Sequence, residues 1–401
     1  MSGSSSSTGR ESRTAGAAVI VAARRTAIGL SDPRRGAFRA LASDDLLAAT
    51  LAAVIAGKGV GPDAVEDVVV GCTRPRGDRG VDVARTAALM AGLPLSVAGT
   101  IVQRGDGSGL EAIARGAHAV IAGAVRVVAA GGVEEMPEPS GDAPPGLHPR
   151  ALARTSRGTL STGLTVEYLA ATAGISRRRQ EEWTLESHRR AAAASAAGWF
   201  DMEIVPVEGS DERGCPVRVT RDQSIDAGLR PETLAALAPA FLPGRGTITS
   251  GTTAPAGDGA ALLVLMDADE ARRRGLVPLA RIVASAVVGV PPALAGTGAV
   301  GALRAVLERG AVAIDEVDHV EIDEAFAAQV IHNVDALGLD PARVNPLGGS
   351  LALGRPCGAS GARIVTTLLH ALARGGGRLG AAAASIGFGQ GIALLVEREP
   401  A

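Results

Sequence analysis

Two glycine-rich turns carry the side chains best placed for chemistry. The first reads Gly105-Asp106-Gly107-Ser108-Gly109, and the second runs from Gly354 to Gly361 with Arg355 and Cys357 inside it. Each lies between an apolar segment and an Ala-rich stretch, so each is expected to open a helix. A helix start offers unpaired N–H groups and the positive end of a dipole, and both favour anions. Asp106 is there a candidate acid as well as a favoured cap residue. Ser108 with Glu111 fits a capping box. Asp323 and Glu324 are adjacent, so on a strand end or helix start they point apart. Asp323 serves as a general base only if burial raises its pKa. Of the six histidines, five fall on expected helices or strands and read as satisfied. His148, in a long loop region, is kept as a candidate substrate contact. The cysteines Cys72, Cys215 and Cys357 cannot all pair, and their spacing matches no metal motif. No metal is expected, and a reducing, cytoplasmic compartment follows. Cys357 lies beside the second turn and is the thiol nearest a prospective crevice. The bland reading of such a cysteine is a small buried hydrophobe.

These turns need elements to hold them. Strands are expected at 17–21, 68–70, 100–102 and 125–130, and helices at 44–57, 82–91 and 110–122. Asp44 and Asp45 mark one helix start, and Leu46, Leu47, Leu51 and Val54 form its apolar face. Strand, helix, strand in this order predicts a parallel sheet with covering helices. From Gly132 to about Arg245 the chain is rich in proline and loops. One charged helix near 177–197 interrupts it, where Arg177-Arg178-Arg179 and Glu181-Glu182 read as a solvated face of i,i+4 pairs. Alternation then resumes, with strands at 247–249, 261–266, within 279–290 and at 317–322. Helices follow at 300–309, 325–335 and 358–374, and a strand pair at 381–386 and 392–396 closes the chain. A glycine turn that opens a helix in each half predicts an internal duplication. Both helix starts then face one crevice, where open α/β sheets bind ligands. The expected organisation is a first half (17–131 with 246–268), a loop domain (132–245), a second half (269–401) and a disordered leader (1–16).

The bulk numbers agree with a globular chain. It has 401 residues, 46% hydrophobic and 20% charged, enough for two or three packed domains. Aromatics are 2%, so the core must be aliphatic, with 53 glycines allowing close backbone approach. A net charge of −2 points to neither nucleic acid nor an anionic membrane. No apolar run is long enough to span a bilayer.

Collinear segments carry a family resemblance. GTITSGTTAPAGDGAALLVLM (246–266), EIDEAFAAQ (321–329), NPLGGSLALGRPCGASGARI (345–364) and SIGFGQG (385–391) resemble the successive motifs of the thiolase superfamily. AGGVEEM (130–136), ISRRRQEEWTLESHRRAAAA (175–194) and FDMEIVPV (200–207) resemble it upstream. The resemblance implies an α/β thiolase fold, five-layered αβαβα from two duplicated halves plus the loop domain, assembled as a homodimer or homotetramer. It implies no cofactor, and coenzyme A or an acyl-carrier thioester as substrate. Such enzymes make or break a carbon–carbon bond next to a thioester. They use a nucleophilic cysteine at a helix start, a histidine that activates it and a second cysteine that moves the α-proton.

Carried over motif by motif, the nucleophile's place holds Asp106, the asparagine's Asp323, the histidine's Arg355 and the second cysteine's Ser385. These four are the expected catalytic residues. Thr162, Thr252, Gly387, Cys357 and His148 are the expected substrate contacts. A carboxylate is a weak acyl acceptor, arginine cannot act as a base, and serine needs a base beside it. Ala254 and Pro255 alter the coenzyme A loop, since proline removes a backbone donor. The expectation is an Asp106–Arg355 ion pair in the crevice. The enzyme would then act on an acyl thioester without a cysteine acyl-enzyme, by retro-aldol cleavage, cyclisation, dehydration or hydrolysis. The alternatives are an inactive subunit that scaffolds an active hetero-oligomeric partner, and an acyltransferase with a non-standard nucleophile.

Overall fold

A computed structural model describes residues 16–57, 59–73, 82–135 and 148–398. The expected leader lies outside these, apart from Gly16. In the first half, strands β1 (Ala18–Thr26), β2 (Asp67–Gly71), β3 (Ala98–Val102), β4 (Val127–Glu134) and β5 (Gly257–Asp267) form one sheet. Their order is β1-β5-β4-β2-β3. Helices α1 (Ser43–Ala56) and α2 (Val83–Met90) cover its outer face, and α3 (Ser108–Ile121) lies on its inner face. Local chemistry sets the helix starts: Asp45 accepts from the Ala42 N–H, and Asp82 accepts from those of Ala84 and Arg85.

The second half repeats this plan. Strands β6 (Ala280–Gly289), β7 (His319–Ile322), β8 (Leu379–Ile386) and β9 (Gln390–Glu397) run in the order β6-β9-β8-β7, and a short antiparallel pairing of β6 with β1, Arg281 opposite Val19, joins this second sheet to the first. Pairing senses match step for step. β1–β5 and β6–β9 are antiparallel, β5–β4 and β9–β8 are antiparallel, and β4–β2 and β8–β7 are parallel. A parallel bridge from Val320 to Val344 stands where the first half has β3. The expected parallel set is present in β2, β3 and β4, and β5 adds an antiparallel return that was not expected. The last strand of each half inserts between its first strand and the parallel set, and short-range alternation could not reveal that long-range return. The stretch 247–249 is also no strand. Its Thr247 and Ile248 N–H groups bind the Glu167 carboxylate instead of a ladder.

Helices α6 (Gly298–Gly310) and α7 (Ala327–Leu337) cover the second sheet's outer face. Helix α8 (Cys357–Gly375) joins α3 between the two sheets. This gives the five layers αβαβα. Helices α4 (Thr162–Thr172) and α5 (Arg177–Ala196) belong to the segment between β4 and β5. Arg177 and Arg178 pair with Glu181 and Glu182 on α5.

The middle layer is tight because glycines let backbones touch. A Cβ on Gly361 would lie 2.4 Å from the Leu110 N, one on Gly109 2.7 Å from the Ala362 N, and one on Gly132 2.1 Å from the Gly358 O. Gly361→Ala should therefore cost about 1–3 kcal/mol in urea denaturation. Gly289→Ala, which meets nothing within 4 Å, should change stability by less than about 0.5 kcal/mol. Equal effects would remove the close-contact account.

Candidate active site

The crevice lies where α3 and α8 begin. Arg355 precedes α8, and its backbone is strapped to the segment before β5. Its N–H donates to the Pro255 O (2.9 Å), and its O accepts from the Gly257 N–H (3.3 Å). The guanidinium is thereby aimed. Nε and Nη2 both donate to Asp323 Oδ2 at 2.8 and 2.7 Å, and Nη1 faces Asp106 Oδ1 at 3.4 Å and Cys357 Sγ at 3.6 Å. The Asp106–Arg355 contact exists, yet Asp323 is the closer partner. Asp323 is buried beyond the end of β7 and also accepts from Ser350 Oγ (2.8 Å). Burial pushes its pKa up, but the Arg355 charge and hydrogen bonds prevail and hold it below the ordinary range. Burial likewise opposes the Arg355 charge, and Asp106 and Asp323 more than offset it. Arg355 is thus a fixed cation.

Cys357 opens α8, where the helix field alone would favour a thiolate. Burial instead pushes its thiol up to about 12. Arg355 pulls the other way, while Asp106, Glu134 and Asp323 add to the rise. Glu134, at the end of β4, accepts from the Gly358 N–H (2.8 Å) and from the Thr73 N–H and Oγ1. A carboxylate already occupies the anion position at this helix start.

Ser385, at the end of β8, donates to the Gly296 O (2.8 Å) and accepts from the Ala299 N–H (3.0 Å). Its hydroxyl ties the start of α6 in place. Asp106, Thr162, Ser385 and Gly387 face one gap with Phe326 and Ile386. The free space there is about 10 Å³, roughly that of one water, so an acyl group needs the walls to part. Thr252 is buried, and its hydroxyl accepts from the Thr249 N–H. His148 is exposed and accepts from the Arg150 N–H, away from the Arg355 cluster. The capping roles expected at the first turn are corrected. Gly107, not Asp106, is the cap of α3. Ser108 Oγ turns back to the Gly105 O, and Glu111 pairs with Arg104 and Arg115. Those arginines outcompete the N-cap N–H for the Glu111 carboxylate.

Of the buried groups behind the site, sequence reasoning named Glu324 but not Glu321 or Arg363. Glu324 accepts from Trp183 Nε1, Ser187 Oγ, Asn345 Nδ2 and the Leu351 N–H, which bolts β7 to α5 and the turn before α8. Arg363 on α8 donates to Ser350 Oγ, and its Nη1 lies 3.6 Å from Glu321 on β7. Their signal was charged residues inside apolar runs.

Two mixed α/β halves that share a middle helical layer, five layers in all, with both inner helices opening on one crevice, define the thiolase class of architecture. The comparisons agree. The sequence model "Thiolase, N-terminal domain" matches residues 18–269, and "Thiolase, C-terminal domain" matches residues 276–398. The chain belongs to the thiolase family. It is 38% identical over 384 residues to a 3-ketoacyl-CoA thiolase of Aliivibrio fischeri, covering 95% of this chain and 99% of that protein. Identity to a 3-ketoacyl-CoA thiolase of Erwinia tasmaniensis is 40% over the same coverage. The crystal structure of Bacillus anthracis acetyl-CoA acetyltransferase superposes with a TM-score of 0.88 at 36% identity, covering 97% of this chain and 100% of that one. Human mitochondrial 3-ketoacyl-CoA thiolase in complex with CoA superposes at 0.87 and 29% identity, covering 96% of this chain and 98% of that one.

These likenesses correct the expected function. Retro-aldol cleavage, cyclisation, dehydration or hydrolysis without a cysteine acyl-enzyme, an inactive scaffolding subunit and a non-standard nucleophile among Asp106, Asp323, Arg355 and Ser385 were argued from those four positions. Proteins named 3-ketoacyl-CoA thiolase match at 38–40% identity from end to end, and that outweighs them. Single side chains tune how a reaction runs; they do not name its substrate.

A pH test addresses the buried layer. Burial raises the Glu321 pKa from 4.5 to about 8, partly offset by Arg363 and reinforced by Glu324 and Glu203. Folded chains keep this proton while unfolded chains release it, so stability should fall as pH rises from about 4.5 to about 8. The loss is on the order of a few kcal/mol. Urea denaturation across this window should show the slope, and Glu321→Gln should flatten it. An unchanged slope in that variant counts against the assignment.

Proposed function

We propose that the chain makes or breaks the carbon–carbon bond of a 3-ketoacyl-CoA, with coenzyme A as the acyl acceptor and Cys357 as the thiol that carries the acyl group. The end-to-end likeness to 3-ketoacyl-CoA thiolases carries the reading. Cys357 follows from geometry. Of the three cysteines, Cys72 is buried, Cys215 is exposed on a loop, and Cys357 touches the guanidinium at the crevice. On this reading Asp106, Arg355 and Ser385 hold the places that a thiolase gives to its cysteine, histidine and second cysteine, and Arg355 links the thiol to Asp106.

In thiolysis the Cys357 proton passes to Asp106, which shares Arg355 Nη1 with Sγ. Sγ attacks the 3-keto carbon, and Arg355 stabilises the negative oxygen that forms. The bond between C2 and C3 breaks, the acyl group stays on Sγ, and the departing enolate takes the proton. The coenzyme A thiol then attacks the thioester and restores Cys357. Thr162 and Gly387 flank the acyl side. Ser385 acts through the α6 start that it anchors. We place the protein in the cytoplasm, where free thiols persist, and retain the two halves and loop domain as its working units. Among the described residues no helix is long and apolar enough to cross a membrane.

Loss of 3-ketoacyl-CoA absorbance should depend on added coenzyme A. Cys357→Ser should lower kcat by about a thousandfold or more. Trapped acyl enzyme should carry its label on Cys357 by mass spectrometry. Because burial holds the thiol protonated to about 12 and Asp106 takes the proton only during attack, kcat/KM should show no thiol titration step between about pH 6 and about pH 10. No coenzyme A-dependent turnover sinks the activity; turnover that persists in Cys357→Ser sinks only the role of this thiol.

We also propose a homodimer. β3 is the open edge of the first sheet, and Leu89, Met90 and Leu95 are exposed beside it by 44, 50 and 81%. An uncovered edge with apolar neighbours invites pairing with a second copy. Light scattering should give twice the chain mass, and Met90→Arg with Leu95→Arg should give one. A monomeric parent, or a variant dimer as tight as the parent, refutes this interface.

A further inference from the structure

A second cavity lies at the other end of α8. It holds about 360 Å³ between β1, the end of α1, the segment after α5 and the start of β6. That volume falls in the range of small-molecule sites. His370, which lines it, is thirteen residues along α8 from Cys357, hence roughly 20 Å away, so this is not the crevice. Val54, Trp199 and Leu279 supply apolar walls, while Arg24, His370 and Arg374 supply the polar ones. Among the described residues no carboxylate lines it.

The arginines are held but not neutralised. Arg24 donates through Nη1 to the Met202 O. Arg374 donates to the Gly198 O (3.0 Å) and the Ala197 O (3.2 Å), with its guanidinium 4.3 Å above the Trp199 ring. Among the described residues neither is ion-paired. A guanidinium has five N–H groups, so each keeps donors free after these contacts. Backbone carbonyls fix the two cations in place without cancelling their charge. An apolar wall of Val54, Trp199 and Leu279 beside two positioned cations suits one ligand chemistry, a carboxylate on an apolar body.

We propose that this cavity binds an amphipathic carboxylate, with the carboxylate on Arg24 and Arg374 and the apolar chain against Val54, Trp199 and Leu279. The site is independent of the acyl-transfer chemistry. The test is calorimetry on the full chain with decanoate, decanol and decyltrimethylammonium. Decanoate should bind, and the neutral and cationic analogues should bind at least about tenfold more weakly, the loss of one charge-assisted contact. Arg24→Gln and Arg374→Gln should each weaken decanoate by a similar factor. Arg374 also caps α5, so Ala373→Leu provides a second variant that fills the cavity without touching the arginines, and it should abolish binding. Decanol binding as tightly as decanoate would overturn the charge reading. Decanoate binding that survives both Ala373→Leu and the arginine variants places the ligand elsewhere and overturns the site. Absence of any binding overturns it too.

Discussion

Backbone contact between α3 and α8 is the constraint from which the rest follows. Two helices in the middle layer come close enough that Gly109 and Gly361 meet the other chain segment with no room for a Cβ, and Gly132 of β4 does the same to Gly358. Side chains at those positions would force the helices apart. Because they do not, both helix starts reach one small volume, and the two halves of a duplicated chain share a site that neither could form alone. The surrounding core is aliphatic, built from β1, β4, β5, β8 and β9 packed on both helices. Its stiffness is what holds the charged cluster in register.

Electrostatics then decide what the crevice can do. A buried cation is costly unless paired, and Arg355 is paired twice, closely to Asp323 and more loosely to Asp106. The close pair is structural in character, since Asp323 is also bonded to Ser350 and enclosed. The loose pair is the adjustable one, with Asp106 partly exposed and sharing Nη1 with the Cys357 sulfur. Glu134 at the start of α8 removes the usual help that a helix gives a thiolate. Burial therefore dominates, the resting thiol keeps its proton, and reactivity requires proton transfer at the moment of attack.

Much of this was legible in the sequence, for identifiable reasons. β4, β5 and the closing strand pair show as apolar runs because both faces are covered. α3 and α8 show because glycine turns precede them. The antiparallel return of β5 did not show, since pairing partners lie more than a hundred residues apart. At the site, motif order brought Asp106 and Ser385 to one gap and Arg355 against Asp106. It could not say that Arg355 prefers Asp323, because two carboxylates of equal charge differ only in distance. The capping box at Ser108 failed for a local reason: Arg104 and Arg115 captured Glu111. The reaction was misjudged because altered side chains at four positions were weighed above a likeness that runs the whole chain.

The gap itself shows which parts must move. With about 10 Å³ between Asp106, Thr162, Ser385 and Gly387, no acyl group fits as the walls stand. Two of the walls cannot yield. Asp106 follows the locked start of α3, and Ser385 is bonded on both sides to the beginning of α6. Thr162 is different. It opens α4, whose only side-chain cap is a 3.3 Å bond from the Leu164 N–H to Ser161, and Gly163 beside it packs on the Phe241 ring with no polar tie. Phe326 opposes it through an edge-on contact with that same ring. Apolar contacts of this kind let the first turn of α4 shift while Glu167, further along the helix, stays tied to the Thr247 and Ile248 N–H groups; the glycine contacts and the Arg355 pairs do not yield. Opening on the α4 side leaves the thiol, the cation and both carboxylates in place, so admission of a substrate and alignment of the reacting groups are separate tasks carried by separate parts of the fold.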